Sequence, residues 1–355
     1  MNTTNRILAV FKTIYGLSSY EDSSPSSIIE EDSYYSGLNN KQTPLRIFHP
    51  KHPNGSILIL FPGATIKGEN HPKMITLARS LAVNGVRVFL PRIPPLIDLK
   101  LSEDILLWTV HFYKWVFNNF CEDNNQINLA GVSFGGVIVL KACLDPFLIK
   151  NRPKSILVFG TSYDARTTME FMYNGKVTFN SKVIEIKPDP WSIIVILYNY
   201  LNKIKLGYNT KRIEKILSHL IHENDEKFQE ELNKLNQFEN KFINDILELN
   251  ISDEIKRAMD LIFNNCSKEI DFFSARDWCE KISNKVFIIH GKNDSMTPFT
   301  ESIKLDSKLE NSLLLISQLF EHREISSKVS LITKGNEIFK VVNFLSEYYK
   351  EAFSS

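Results

Sequence analysis

The sequence predicts a doubly wound, mostly parallel α/β sheet interrupted by an inserted helical cap. Short apolar runs alternate with amphipathic helical patterns in both the first and the last parts of the chain, as repeated β-α-β units require. The alternation stops between Gly160 and about Asp277, where only helical spacing remains. A tight turn, Gly131-Val132-Ser133-Phe134-Gly135, stands where a strand gives way to a helix.

Residues 18–44 are rich in Ser, Asp, Glu and Asn without periodicity and read as a linker or surface arm, so that 1–44 form an N-terminal arm. Before them Ile7, Phe11 and Ile14 make a short apolar stripe, which reads as docking on the domain, with contact to a membrane as the alternative. Ser56 to Phe61 is a nearly continuous apolar run ended by Pro62-Gly63, the pattern of a strand buried on both faces. Pro72 to Leu81 fits a helix, Val86 to Leu90 a strand, and Ser102 opens a helix whose Ile105, Trp108, Phe112, Trp115 and Val116 share a face. Ile127 to Ala130 is the next strand, followed by a helix from Phe134 to about Leu144 and the strand Ile156 to Phe159. Val286 to His290 and Leu313 to Ile316 read as two further strands, and a helix from Asn336 through Phe339, Val342 and Leu345 closes the chain. The predicted core is therefore 45–160 with 276–355, and the cap insertion is 161–275. In the insertion Phe228, Leu232, Leu235, Phe242, Ile246 and Leu249 keep helical spacing, which reads as all-helical.

Composition narrows the function. The 355 residues are 43% hydrophobic and 11% aromatic, enough for a substantial core. A net charge of +1, from 42 basic and 41 acidic residues, supplies no field for holding nucleic acid. Four cysteines without a C-x-x-C pair point to free thiols in a reducing, cytoplasmic setting. Lys12 interrupts the apolar run Ile7 to Phe11, which argues against a secretory signal, and no run is long enough for an integral membrane segment. His219 and His222 lie three apart beside Glu223 but have no evident third ligand, so no metal and no cofactor are expected.

The chemistry gathers around Ser133. Gly-x-Ser-x-Gly at a strand-to-helix turn leaves the serine hydroxyl exposed above the sheet, with a helix N-terminus favouring negative charge beside it. An acid and then a histidine should follow in chain order. Asp294, in His290-Gly291-Lys292-Asn293-Asp294, lies just past a buried strand, and of eight histidines only His322 lies beyond it. This selects Ser133 as nucleophile, Asp294 as acid and His322 as base.

These residues resemble the α/β-hydrolase superfamily. Gly131 to Gly136 is similar to its nucleophile elbow, His290-Gly291-x-x-Asp294 to its acid loop and His322 to its base position, over about residues 45–165 and 275–350. The insertion falls where the family often carries a cap. The resemblance implies an oxyanion hole from the backbone N–H groups of Phe134 and Ala64. The sequence departs where many members have His-Gly; here it is Pro62-Gly63-Ala64. Asp164, after the strand ending at Phe159, is the rival acid, because some members place theirs there.

The expected activity is hydrolysis of a carboxylic ester or thioester of a hydrophobic, acyl-type small molecule through an acyl-enzyme. Acyltransferase or peptidase chemistry on the same triad is the alternative, and a non-catalytic binding protein of the same fold is a third. Dehalogenase chemistry would need a carboxylate where Ser133 stands. The apolar segment Trp191 to Leu201 reads either as a helix buried between cap and core or as a lid over an acyl pocket. Glu69, Asn70 and His71 could touch substrate or simply lead into the helix at Pro72.

Overall fold

The structure, a computed structural model, describes residues 3–121, 126–320 and 331–353. Ten strands are present among them: β1 Ile28–Ser36, β2 Gln42–Pro50, β3 Ser56–Phe61, β4 Arg87–Pro91, β5 Gln126–Val132, β6 Ser155–Phe159, β7 Lys176–Phe179, β8 Lys182–Glu185, β9 Lys285–Gly291 and β10 Ser312–Ser317. Eight of them form one sheet in the order β1-β2-β4-β3-β5-β6-β9-β10. β2 runs antiparallel to both its neighbours, and from β4 to β10 every pairing is parallel.

Period-two alternation sends successive residues to opposite faces. In β3, Ile57, Ile59 and Phe61 face the helices Asp104–Phe120 and Phe134–Ala142. Leu58 and Leu60 face the helices Thr3–Ser19, Pro72–Ala82 and Leu331–Ala352. All six residues of β3 are buried, as the unbroken apolar run predicts for a strand covered on both sides.

The first 44 residues differ from the expected arm. A helix occupies Thr3–Ser19, and 28–36 form the edge strand of the main sheet. The polar residues that suggested a linker are cross-strand and tertiary partners: Arg46 reaches Glu30 at 3.3 Å and Asp32 at 3.0 Å, and Arg79 reaches Glu30 at 2.7 Å. The helix docks, but not through the expected stripe. Its buried residues are Ala9, Val10, Thr13 and Gly16, whereas Ile7 and Phe11 are exposed and Ile14 is half-buried. Small residues let the helix lie close to its neighbour: a Cβ at Gly16 would sit 2.6 Å from Ser80 Oγ.

Between β6 and β9 the helices Ala165–Asn174, Pro190–Tyr200, Lys211–Ile221, Asp225–Leu232, Gln237–Glu248 and Asp253–Asn265 surround a core of their own, with Ile193, Leu197, Leu217, Ile246 and Ile262 at its centre. This segment is not all-helical. β7 and β8 form a hairpin whose turn places Asn180 and Ser181 at φ 50° and 60°, the left-handed pair that a two-residue turn needs. The continuous helical spacing from Phe228 to Leu249 is broken at Asn236, which caps the helix beginning at Gln237 in a reciprocal box with Glu239. Among the described residues, no helix is long and apolar enough to cross a membrane.

Candidate active site

Ser133 follows the last residue of β5 and caps the helix Phe134–Ala142. Its backbone sits at φ 55°, ψ −126°, a strained conformation for a residue with a side chain. The surroundings show why the flanking residues are glycine. A Cβ on Gly131 would stand 2.5 Å from the Gly135 carbonyl oxygen, and one on Gly135 would strike the Pro62 carbonyl oxygen. Gly63 crosses directly beside the serine, where an added Cβ would lie 3.1 Å from Ser133 Cβ. The turn is held on the main chain: Ser133 N–H donates to Phe159 O at 2.6 Å, and Thr161 Oγ1 donates to Ser133 O at 3.2 Å. Phe134, first in its helix, has an N–H without an acceptor inside that helix. Ala64 lies in the loop that Gly63 starts, and both line the same cavity as Ser133 and Phe134.

Asp294 sits in the loop after β9, fully buried. Its Oδ1 accepts the N–H groups of Met296 and Thr297, each at 2.8 Å. His290, also fully buried, braces this loop. Its Nε2 donates to Thr297 O at 2.9 Å and lies 3.4 Å from Asp294 Oδ2, while Nδ1 meets Ser302 Oγ at 2.6 Å. The bracing role of His290 was missed in the sequence; its spacing to Asp294 was visible, but Ser302 lies on the next helix. His322 lies outside the described residues. Just before it, Phe320 packs edge to face on Phe159 with ring centroids 5.8 Å apart.

Asp164, the rival acid, has structural partners. It caps the helix Ala165–Asn174 by accepting Arg166 N–H at 2.9 Å, and its other oxygen pairs with Arg276 Nη1 at 2.6 Å. Its backbone N–H donates to the buried Glu301 carboxylate at 2.7 Å. His219 and His222 belong to no cluster of metal-ligating side chains among the described residues. Glu69 is buried against Arg92 and away from the cavity, whereas His71 lines it.

A cavity of about 550 Å³ opens over Ser133. Met74, Met169, Met172, Met296, Phe134 and Phe273 make it apolar. One face of the helix Pro190–Tyr200 forms part of its wall, through Trp191, Ser192, Val195, Ile196 and Tyr200. Ile194 points the other way, into the core of the inserted helices. The helix starts against the Asp294 loop: Asp189 N–H donates to Ser295 O at 3.1 Å, and Asp189 Oδ1 accepts Trp191 N–H at 2.9 Å. Burial pushes the Tyr200 hydroxyl well above its ordinary pKa, so it remains a neutral wall.

Strand order, a strained serine after β5 and an acidic loop after β9 together decide the architecture. The chain has the α/β-hydrolase fold. Solved structures of that fold align over most of its length. An acylaminoacyl peptidase in complex with Z-Gly-Gly-Phe-chloromethyl ketone shares 12% identity at a TM-score of 0.51, with 92% of this chain and 42% of that one aligned. The Pyrococcus furiosus esterase Pf2001 shares 13% identity at a TM-score of 0.48, with 92% of both chains covered. Carboxyl esterase 2 from Tuber melanosporum shares 12% identity at 0.48, covering 92% of this chain and 87% of its own. No protein-family model matches the chain, and no curated protein matches it by sequence. Within this α/β-hydrolase fold, Ser133 and Asp294 stand at the C-terminal ends of β5 and β9, the edge at which such sheets bind ligands.

Proposed function

We propose that the chain is a serine hydrolase that cleaves carboxylic esters or thioesters of hydrophobic acids. The observation that carries this reading is the backbone of Ser133. A serine held at φ 55°, ψ −126°, outside the left-handed helical region that a turn residue such as Leu249 takes at φ 56°, ψ 35°, and open to an apolar cavity, keeps a strain that an ordinary turn does not carry. That strain favours the catalytic reading over a non-catalytic binding protein of the same fold.

Ser133 Oγ attacks the carbonyl carbon while His322 takes its proton. Asp294 orients the imidazole and stabilises its charged form. The oxyanion is met by the N–H groups of Phe134 and Ala64, aided by the helix N-terminus. His322 then returns the proton to the leaving alcohol or thiol, and water, deprotonated by His322, releases the acid. The segment 161–275 acts as a cap whose helix Pro190–Tyr200 walls the acyl pocket. A similar fold in acylaminoacyl peptidases keeps amide cleavage as the second reading.

The test is labelling with a fluorophosphonate, mapping of the modified residue, and turnover of p-nitrophenyl esters against acylamino-acid p-nitroanilides. Modification at Ser133 with ester turnover is expected. Labelling at another serine removes the assignment, and faster anilide cleavage selects the peptidase.

A further inference from the structure

The loop from Pro62 to Lys67 starts against the candidate nucleophile and ends on an ion pair outside the cavity. At its start, Gly63 is pressed on Ser133, and Pro62, lacking an N–H, offers the sheet one hydrogen bond fewer. At its end comes the turn Gly68–Asn70, with Gly68 at φ 47° where a Cβ would strike Ile97 Cδ1. Within that turn Glu69 is 1% exposed. Arg92, just past β4, grips it with both arms: Nε lies 2.9 Å from Oε2 and Nη2 2.5 Å from Oε1. Asn70 Nδ2 adds a third donor at 3.1 Å. The backbone of Arg92 is itself fixed, since its N–H donates to Pro44 O at 3.0 Å and its carbonyl accepts Tyr35 O–H at 2.7 Å.

Taking a carboxylate out of water is costly, and pairing it with a guanidinium that stays 35% exposed returns only part of that cost. Stability alone therefore explains poorly why a charge sits beneath this loop. A two-pronged guanidinium–carboxylate contact instead fixes direction as well as distance. We propose that Glu69 and Arg92 are positioning residues, which tie the end of the 62–67 loop to β1, β2 and β4 and so hold the Ala64 N–H where the oxyanion develops. Neither side chain lines the cavity; both act through the backbone of the loop. The proposal rests on Ser133 being an acylating serine.

The test compares Glu69→Gln, Arg92→Lys and Ser133→Ala with the parent chain, using a p-nitrophenyl ester, a boronic acid as analogue of the tetrahedral intermediate, and the product acid as ground-state ligand. Loosening one oxyanion donor should lower kcat by roughly 10- to 100-fold in Glu69→Gln. KM and product binding should stay within about twofold, while boronate affinity falls in step with kcat, a split that simple destabilisation does not produce. Arg92→Lys keeps the charge and one of the two hydrogen bonds, and should lose less of kcat and boronate affinity than Glu69→Gln does. Unchanged kcat and boronate affinity in Glu69→Gln overturn the proposal, as does a loss that merely tracks the unfolded fraction. If Glu69→Gln does not fold, an Arg92→Lys chain with full kcat and boronate affinity overturns it equally. Turnover that survives in Ser133→Ala removes the hydrolase reading itself, and this proposal with it.

Discussion

Phe159 and Phe320 meet edge to face with ring centroids 5.8 Å apart. Phe159 ends β6, and its carbonyl accepts the Ser133 N–H. Phe320 lies two residues before His322 in the chain. The polypeptide thus passes against the strand beside Ser133 two residues before the candidate base.

Ser133→Ala should abolish fluorophosphonate labelling and lower ester turnover by several orders of magnitude. The melting temperature should hold or rise, because removing the hydroxyl leaves the strained backbone and its flanking glycines in place. Intact-mass spectrometry and thermal melting read both effects, and retained labelling would remove Ser133 from its role.

Asp294→Asn and Asp164→Asn should separate a catalytic acid from a structural one. The first should cost about 10⁴-fold in kcat if Asp294 orients His322. The second weakens a helix cap and the pair with Arg276, so it should lose about 1–2 kcal/mol of stability with kcat nearly intact. Kinetics and urea unfolding on both variants decide; the reverse ranking moves the acid to Asp164.

The helix Pro190–Tyr200 offers adjacent residues facing opposite ways. Val195→Phe should fill the cavity and depress turnover of long-chain esters while acetyl esters still react. Ile194→Ala should instead leave chain-length preference alone and cost about 2–5 kcal/mol, because Ile194 is packed among the inserted helices. Equal losses across chain lengths for Val195→Phe would place the acyl group elsewhere.

Glu337, on the last helix and 3% exposed, governs an acid-sensitive contact. Its carboxylate accepts Ser317 Oγ at 2.7 Å, Gln318 N–H at 2.9 Å and Lys340 Nζ at 2.7 Å. Burial alone would raise its pKa; the donors, Lys340 foremost, outweigh burial and hold it below the ordinary 4.5. A depressed carboxylate pKa adds stability above 4.5 that disappears as pH falls through the lower folded value. Glu337→Gln should therefore melt below the parent at pH 7, and the gap should close on acidification. A gap independent of pH would show that the ionised form adds nothing.

Much of this was legible because burial writes itself as apolar runs. The runs within β3, β5, β6 and β9 mark strands covered on both faces, and the glycines around Ser133 mark a turn with no room for side chains. β1 escaped notice because it is an edge strand whose Glu30 and Asp32 meet Arg46 and Arg79 from elsewhere in the chain. The docking face of the first helix escaped because size was taken as the signal, whereas close approach selects Ala9, Thr13 and Gly16. Glu69 with Arg92, and His290 with Ser302, are pairings made only by the tertiary fold.

β6 and β9 lie side by side, Ser155 opposite Lys285, with the entire helical insertion strung between them. Each doubling of such a loop adds only about 0.6 kcal/mol to closure, so the arrangement weighs on folding rate more than on final stability. The inserted helices can collapse on their own Ile193, Leu217 and Ile262 before the sheet closes. On that order β9 would dock after the inserted helices, and the Asp294 loop would arrive with it. During refolding, helical signal should return ahead of reactivity at Ser133, and the nascent chain would gain its chemistry only once its last strands are seated.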